Sequence, residues 1–305
     1  MATLALYTTI YPGVARYLAD WYASVRRQTD QDFQVWVGLD EVGVESAREA
    51  MGGDPDAVWV PGREGDSPAT IRQRALARIV ERHDAVVLVD SDDVMHATRV
   101  ATARAMLRAY DMVGCALGLI DERGSSMDMT FTLPPNMAPE DVFPRTNAFG
   151  LSNTAIRSDV LRRCLPIPAA VALVDWFIST RAWLFEARLW FGVRVEMDYR
   201  QHRANMARVL APFPEQQVIQ DTERVRQHFG LLRASHLETA VPDRLAELER
   251  AAADVELFHE RVVLRPALLK RYVEGLNELR TTPLWWTWVA NPLLRHLWTT
   301  AEGAA

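Results

Sequence analysis

The sequence predicts an α/β protein with a Rossmann-like, mostly parallel sheet flanked by helices, followed by an α-helical C-terminal extension. Two observations support this class. Apolar segments rich in strand formers alternate with amphipathic helical segments through the first hundred residues, as they do when crossover helices join parallel strands. After Pro214 no convincing strand is predicted, whereas Leu245, Leu248, Ala252 and Val255 recur at helical spacing.

The first half of the chain contains a regular series of predicted elements. Tyr11-Pro12-Gly13 ends the first apolar segment, because proline and glycine favour turns. The apolar residues that follow recur every three or four positions and form one face of a helix ending near Gln28. The predicted series is a strand at Ala2 to Thr9, that helix, a strand at Phe33 to Leu39, a helix near Val44 to Met51, a strand at Ala57 to Val60, a helix from about Pro68 to Arg82 and a strand at Ala85 to Val89.

The pattern is less regular after residue 95. Glycine, serine and proline interrupt the stretch from Asp121 to Pro144, which predicts a hairpin and a loop. We divide the chain into an α/β domain at residues 1–210 and a helical extension at residues 211–305. The other predicted elements are a helix near Thr98 to Tyr110, a strand at Met112 to Ile120, a helix from Trp176 to Trp190 and a strand near Val193 to Met197.

Composition excludes several classes of protein. The 305 residues are 49% hydrophobic and 24% charged, which is ordinary for a folded protein rather than a disordered one. The net charge of −6 argues against a nucleic-acid-binding protein. Cys115 and Cys164 form no metal or redox motif, which favours a reducing, cytoplasmic location. The sequence shows no secretory signal and no apolar run long enough to span a membrane.

Carboxylates follow two of the predicted strands. Asp40 ends the second strand, and Asp90-Ser91-Asp92-Asp93 follows the strand at residues 85–89. Ligands of open α/β sheets bind beyond the carboxyl ends of the strands. Clustered carboxylates repel one another unless solvent or a cation neutralises them, and oxygen ligands suit Mg²⁺ or Mn²⁺. We therefore expect a divalent metal here; the alternative is that Asp92 or Asp93 only caps the following helix.

An aspartate pair after a strand also fits the nucleophile loop of haloacid-dehalogenase-like phosphatases. Those enzymes carry their nucleophile on the first strand and have a later lysine followed by an acidic pair. Here at least three predicted strands precede Asp90, and no aspartate follows Lys270, which is the only lysine. The phosphatase interpretation is therefore a remote alternative.

The sequence resembles family 2 glycosyltransferases, which have the GT-A fold. The resemblance extends over some 200 residues and depends on the order and spacing of several short motifs. These are Thr9-Thr-Ile-Tyr11 at the end of the first strand, Asp40, Ile71-Arg72-Gln73-Arg74-Ala75-Leu76, Val89-Asp90-Ser91-Asp92-Asp93, Val174-Asp175-Trp176 and Tyr199-Arg200-Gln201-His202.

The resemblance implies an inverting, Mg²⁺- or Mn²⁺-dependent transferase. It would move a sugar from a nucleoside-diphosphate sugar, which we expect to be a UDP-sugar, to a hydroxyl acceptor in polysaccharide or glycoconjugate synthesis. The residues 1–210 would then form the catalytic domain that binds the nucleotide sugar. The residues implied in holding the base and ribose of the donor are Thr9, Tyr11, Asp40 and Arg72, with Asp90 directed to the ribose or to the outer shell of the metal.

The same resemblance assigns the metal and the catalytic base. Asp92 is the expected metal ligand, although Asp93 is not excluded, and His202 would join the metal or the diphosphate. Arg200 either faces the diphosphate or is solvated. Asp175 is the expected base that takes the proton of the acceptor hydroxyl.

Two departures from the family pattern are the reason to consider an alternative function. The family usually has Glu-Asp where this chain has Val174-Asp175, and Arg-Asn where it has Arg72-Gln73. A catalytically weak protein that binds nucleotide sugars, or acts as a docking partner, is therefore the alternative to an enzyme.

Four of the ten tryptophans lie close together near the C-terminus, at Trp285, Trp286, Trp288 and Trp298. Indole side chains favour protein contacts and membrane interfaces alike. We expect this tail to pack against the α/β domain or a second subunit. Peripheral contact with the inner face of a membrane is the alternative.

Overall fold

The computed structural model describes residues 3–134, 136–203, 205–207, 209–279 and 284–299. Ala2, where the first strand was predicted to begin, lies outside these residues, as do residues 300–305 of the C-terminal extension. A single sheet runs through the α/β part of the molecule. Its strands are β1 (Leu4–Ile10), β2 (Phe33–Leu39), β3 (Val58–Pro61), β4 (Ala85–Leu88), β5 (Val94–Met95), β6 (Met112–Ile120), β7 (Ser126–Phe131), β8 (Thr154–Arg157) and β9 (Leu189–Arg200).

Helices cover the sheet and form the C-terminal region. The α-helices are α1 (Leu18–Arg26), α2 (Val44–Met51), α3 (Pro68–Ile79), α4 (Arg99–Met106), α5 (Ser158–Cys164), α6 (Val174–Leu184), α7 (Glu215–Arg233), α8 (Pro242–Phe258), α9 (Pro266–Glu278) and α10 (His296–Thr299). Within the described ranges no helix combines the length and the apolar character that crossing a bilayer requires.

The N-terminal half of the sheet is parallel, in the order β3-β2-β1-β4. Every residue of β1 is buried, which explains its continuous apolar sequence, because a central parallel strand is covered by helices on both faces. Parallel pairing brings the carboxyl ends of β1, β2 and β4 to one edge. The residues that directly follow these strands therefore meet at a common site.

The other half of the sheet is mixed. β8 pairs antiparallel with both β4 and β6, while β6 and β9 pair in parallel, and β5 and β7 add short antiparallel pairings. The predicted fold class is confirmed, with a mixed sheet that is parallel through its N-terminal half and an α-helical C-terminal region.

The sequence prediction was wrong about the end of α6, and it missed β8. The helix ends at Leu184 rather than Trp190, and Trp190 belongs to β9. Glu186 adopts a left-handed backbone with φ of 61°, which stops the helix. The side chain of Asp111 then accepts a 2.9 Å hydrogen bond from the Arg188 amide beside the start of β9. β8 was missed because its four residues are too few to show a strand period.

The tryptophan-rich tail folds back onto its own chain. Trp285, Trp286, Trp288 and Trp298 are each less than 5% exposed. The indole N–H of Trp288 donates to a carboxylate oxygen of Asp221 on α7, at 2.7 Å. These four indoles are thus buried inside the chain, so a contact with a membrane or a second subunit would have to use other side chains.

Candidate functional site

A cleft of about 370 Å³ opens at the carboxyl ends of β1, β2 and β4. Burial and strand pairing fix the backbone there, and the first polar residue after each strand points into the opening. Seven of the eight predicted site residues line this cleft. They are Thr9, Tyr11, Asp40, Arg72, Asp90, Asp92 and Asp175.

Asp92 is held by two neighbours. Its Oδ2 accepts a hydrogen bond from the Tyr11 hydroxyl at 3.0 Å and lies 2.8 Å from Nε2 of His202. The His202 side chain is only 2% exposed and stacks on the ring of Tyr17, with ring centroids 5.3 Å apart. The eighth predicted residue, His202, therefore lies behind Asp92 rather than on the cleft wall. It contacts the expected metal ligand directly.

Asp93 has a different environment from Asp92. It is fully buried, and its carboxylate accepts hydrogen bonds from the Arg200 amide, at 2.7 Å, and from the hydroxyl of Ser152. Burial, with the charges of Asp92 and Asp90, raises the pKa of Asp93 well above its usual range. Asp92, the residue expected to bind the metal, lines the cleft, and Asp93, the alternative that the sequence left open, does not.

The Arg200 side chain is buried and does not line the cleft. Its Nε donates to the backbone carbonyl of Asp92 at 2.8 Å, and its Nη2 lies 3.1 Å from Asp20. Its guanidinium lies over the Tyr17 ring, 4.7 Å from the centroid. This arginine supports the Asp92 segment from behind, so neither expectation for Arg200, contact with a diphosphate or a solvated charge, describes its place.

Asp90 lies near Asp92 in the cleft. Burial, followed by the charge of Asp92, raises the pKa of Asp90 above its usual range, while the charge of Arg72 opposes the shift. The Ser152 hydroxyl oxygen also lies 3.1 Å from a carboxylate oxygen of Asp90. Two carboxylates placed this close together repel each other and form a site that a cation would stabilise.

Whether the residues of the cleft suit a divalent metal ion depends on how many ligands the protein must supply. Within the part of the chain that the structure describes, no group of three or more His, Cys, Asp or Glu side chains forms a preformed metal cage. Mg²⁺ and Mn²⁺ usually need only one or two carboxylates, because phosphate oxygens and water complete the octahedron. Asp90 and Asp92 therefore suit such a metal when a diphosphate accompanies it.

Asp40 and Arg72 also line the cleft. Burial raises the pKa of Asp40, and the neighbouring charge of Glu41 adds to the shift. The positive charge of Arg72 acts on Asp40, Asp90 and Asp175, so this guanidinium lies near all three. An arginine among three carboxylates supplies planar N–H donors that suit a phosphate, a ribose or a base.

Asp175 lies at the N-terminus of α6 and is partly exposed to the cleft. The surrounding protein raises the pKa of its carboxyl to about 6 by desolvation, although backbone amides at the helix start and the charge of Arg72 oppose this. The side-chain amide of Asn147 donates to its Oδ2 at 3.1 Å. A carboxylate with these properties can accept a proton near neutral pH.

Asn147 is a site residue that the sequence did not reveal. It is fully buried, and its Oδ1 accepts from the Phe149 amide at 3.0 Å and from the Ser179 hydroxyl at 3.1 Å. Its own backbone amide donates to the carbonyl of Trp285 at 3.2 Å. This residue therefore connects the Asp175 carboxylate to the C-terminal tail, and no local sequence pattern indicates such a role.

The C-terminal tail completes the cleft. Trp285 and Trp286 both line it, although they lie more than 100 residues from Asp175 in the sequence. The Trp285 ring packs on Phe131, with centroids 4.1 Å apart, and Trp286 stacks parallel to Trp176 at 6.1 Å. A Cβ on Gly150 would lie 2.7 Å from the Trp285 ring, so glycine is needed for this close approach. The predicted packing of the tail against the α/β domain thus contributes directly to the site.

The fold with its strand-end cleft is the GT-A fold, which similar solved structures share. TarS of S. aureus superposes with a TM-score of 0.57 at 15% identity, covering 84% of this chain and 43% of that one. The chain thus spans less than half of that TarS chain. A structure of TarS residues 1–349 in complex with UDP-GlcNAc gives a TM-score of 0.55 at 15% identity, covering 85% of this chain and 72% of that chain.

A third similar structure is the mannosyltransferase PcManGT from Pyrobaculum calidifontis, in complex with GDP-Man and Mn²⁺. Its TM-score is 0.56 at 15% identity, and the match covers 99% of this chain and 81% of that one. Comparison of the sequence with protein-family models and with curated proteins finds no match. The structural similarity therefore establishes the fold.

Proposed function

We propose that the protein is an inverting, divalent-metal-dependent glycosyltransferase that moves a sugar from a nucleoside-diphosphate sugar to a hydroxyl acceptor. One observation carries this proposal. A GT-A fold brings seven residues from five separate segments of the chain to one cleft, with a carboxylate pair and a separate carboxylate that has a pKa of about 6. Paired carboxylates suit a metal with a diphosphate, and the separate carboxylate suits a base.

The polar residues that line the cleft would hold the nucleotide-sugar donor. Tyr11 offers an aromatic ring for a base, Asp40 accepts from a base N–H or ribose hydroxyl, and Arg72 donates to phosphate or ribose oxygens. Thr9 lies beside them at the end of β1. We expect a UDP-sugar as donor. The solved complexes of similar folds with UDP-GlcNAc and with GDP-Man support a nucleoside-diphosphate sugar.

Asp92 would hold Mg²⁺ or Mn²⁺, with Asp90 beside the metal or the ribose. A bound divalent cation supplies positive charge that stabilises a departing nucleoside diphosphate. His202, 2.8 Å from Asp92, would orient that carboxylate or join the metal. The complex of the similar mannosyltransferase with Mn²⁺ supports this assignment.

Asp175 would act as the base. The acceptor oxygen attacks the anomeric carbon while the bond between that carbon and the diphosphate oxygen breaks, and the hydroxyl proton passes to Asp175. Attack from the face opposite the leaving group inverts the anomeric configuration. Asn147 and the backbone amides at the start of α6 fix the direction of the carboxylate.

We assign the binding of the donor and the catalysis to residues 1–210. The helices that cover this part of the molecule belong to residues 211–305. The physiological product would be a polysaccharide or glycoconjugate made in the cytoplasm, in keeping with two buried cysteines that form no disulfide.

The test combines nucleotide binding with turnover. The purified protein should gain thermal stability from UDP only when Mn²⁺ is present, and it should slowly release UDP from a UDP-sugar. Asp92→Asn should lose the Mn²⁺-dependent stabilisation, because the metal carboxylate becomes neutral. The matched control is Asp128→Asn, which removes an exposed carboxylate from β7 and should behave as the parent. Stabilisation without any UDP release would instead indicate the nucleotide-sugar-binding alternative, and no stabilisation by any nucleoside diphosphate would contradict the proposal.

A further inference from the structure

The two sides of the cleft differ in chemistry. We name the first side the donor wall; it consists of Thr9, Tyr11, Asp40, Arg72, Asp90 and Asp92. We name the second side the apolar wall; it consists of Leu151, Leu173, Val174, Trp285 and Trp286, and the cleft is also lined by the uncharged polar residues Ser152, Tyr199 and Asn205, which belong to neither wall. Among the described residues lining the cleft, the charged side chains are those of the donor wall and Asp175.

Asp175 lies at the boundary of the two walls. On one side, the charge of Arg72 acts on its carboxyl, and the charge of Asp175 acts in turn on Asp90. On the other side, Leu173 and Val174 directly precede it and form the start of α6. An acceptor hydroxyl that reaches this carboxylate must therefore bring the rest of its molecule against the apolar wall or the open mouth of the cleft.

Fixed tertiary contacts build the apolar wall. Trp285 is connected to Asp175 through Asn147, which bonds to both. Trp286 stacks on Trp176, the residue that follows Asp175. Both indoles are less than 5% exposed, so they are held in place and present only part of their surface to the cleft.

This wall discriminates between kinds of acceptor. A hydrophilic polyol pressed against it would leave hydroxyl groups without hydrogen-bond partners, which is unfavourable. An aliphatic or aromatic group there would displace water from apolar surface, which is favourable. The discrimination would be strongest close to the reactive hydroxyl, where Val174 and Leu173 lie.

We propose that the acceptor is amphiphilic, with its reactive hydroxyl borne by a molecule whose apolar group binds the apolar wall. This inference rests on the proposed function and names the class of its second substrate. An apolar acceptor also excludes water from Asp175, so the same contact would reduce hydrolysis of the donor. The transfer itself is unchanged: the acceptor hydroxyl loses its proton to Asp175 as its oxygen bonds to the anomeric carbon.

The test compares two probes with the same sugar head, octyl β-D-glucoside and methyl β-D-glucoside. Calorimetric titrations use the full chain with saturating UDP and Mn²⁺, and the octyl glycoside stays below its micelle concentration. The octyl probe should bind with a Kd at least about tenfold lower, since several buried methylene groups contribute. Equal affinities, which would indicate recognition of a hydrophilic sugar acceptor, or failure of both probes to bind, would overturn the inference.

A pair of variants tests where the octyl group binds. Leu151 is half-buried on the apolar wall, so Leu151→Gln should fold and raise the Kd of the octyl probe several-fold. Leu293 is 60% exposed and does not line the cleft, so Leu293→Gln should bind the probe as the parent does. An octyl Kd that Leu151→Gln leaves unchanged would also overturn the inference. The proposed function has a separate criterion, the stabilisation of the parent protein by UDP and Mn²⁺.

Discussion

The N-terminal parallel strands and the C-terminal tail contribute to the same cleft in different ways. The strands place charged and polar groups, such as Asp40 and Asp90, directly after buried apolar segments. The tail adds indole rings through contacts with Phe131, Gly150 and Asn147. The first contribution depends on local sequence, whereas the second depends on packing between segments far apart in the chain.

The charge of the site and the shape of the cleft therefore have separate origins in the chain. Substitutions at the strand ends should alter binding and chemistry while the fold remains intact, because those side chains project from a rigid sheet. Substitutions at the tail contacts should alter stability and cleft shape together, because the same atoms build the core and the wall.

The largest expected effect would come from Asp175, where the two contributions meet. Asp175→Asn should reduce kcat by about 10²- to 10⁴-fold, the usual value of a general base, while UDP binding with Mn²⁺ stays as in the parent. Steady-state UDP release from a UDP-sugar with an accepted hydroxyl substrate measures the loss. Asp159→Asn is the control, because Asp159 is an exposed carboxylate in the first turn of α5. Full activity of Asp175→Asn would show that another group is the base.

A second substitution tests the contact between the tail and the α/β domain. Gly150→Ala places a Cβ 2.7 Å from the buried Trp285 ring, so overpacking should lower the free energy of unfolding by about 1–3 kcal/mol. The same exchange at Gly230 in α7 meets no atom within 4 Å and should stabilise the helix by about 0.5–1 kcal/mol. Thermal denaturation of both variants gives opposite signs if the tail packs as described. A stable Gly150→Ala protein would break the contrast between the two regions.

The smallest expected effect concerns the pH dependence that Asn147 controls. The base must be ionised, so kcat should fall about tenfold per pH unit below about pH 6, the pKa of Asp175. The Asn147 amide stabilises the charged carboxylate, so Asn147→Ala should raise this pKa and move the acid limb to higher pH. Ser179→Ala removes the hydroxyl bonds to Asn147 Oδ1 and to the Trp176 carbonyl but leaves the bond between Asn147 and Asp175 in place, and it is the control. If both variants kept the parental limb, Asn147 would have no influence on the base.

Much of the N-terminal half could be predicted from the sequence. The bounds predicted for β2, α2 and β6 agree with the structure, because each is a long apolar or amphipathic run between clear turn signals. β8 and the start of β9 could not be predicted. β8 pairs with β4, and β9 pairs with β6. These partners lie about 70 residues away in the sequence, and local periodicity does not indicate them.

The candidate site shows the same division. The sequence predicted the strand-end carboxylates from their position after apolar strands, and the family resemblance predicted Asp175. It favoured Asp92 over Asp93 as the metal ligand but left Asp93 open, because the contacts of Asp93 with Arg200 and Ser152 depend on distant segments of the chain. It also gave no sign that Trp285 would meet Asn147.

Local sequence patterns were enough to predict the fold class, the parallel character of the first strands and the set of polar residues at their ends. Those properties follow from hydropathy and turn chemistry within a few residues. Only the tertiary structure decided which carboxylates face the cleft and which aromatic rings close it. The physical reason is that burial and hydrogen bonding at each of these positions depend on chain segments that come together only when the whole protein folds.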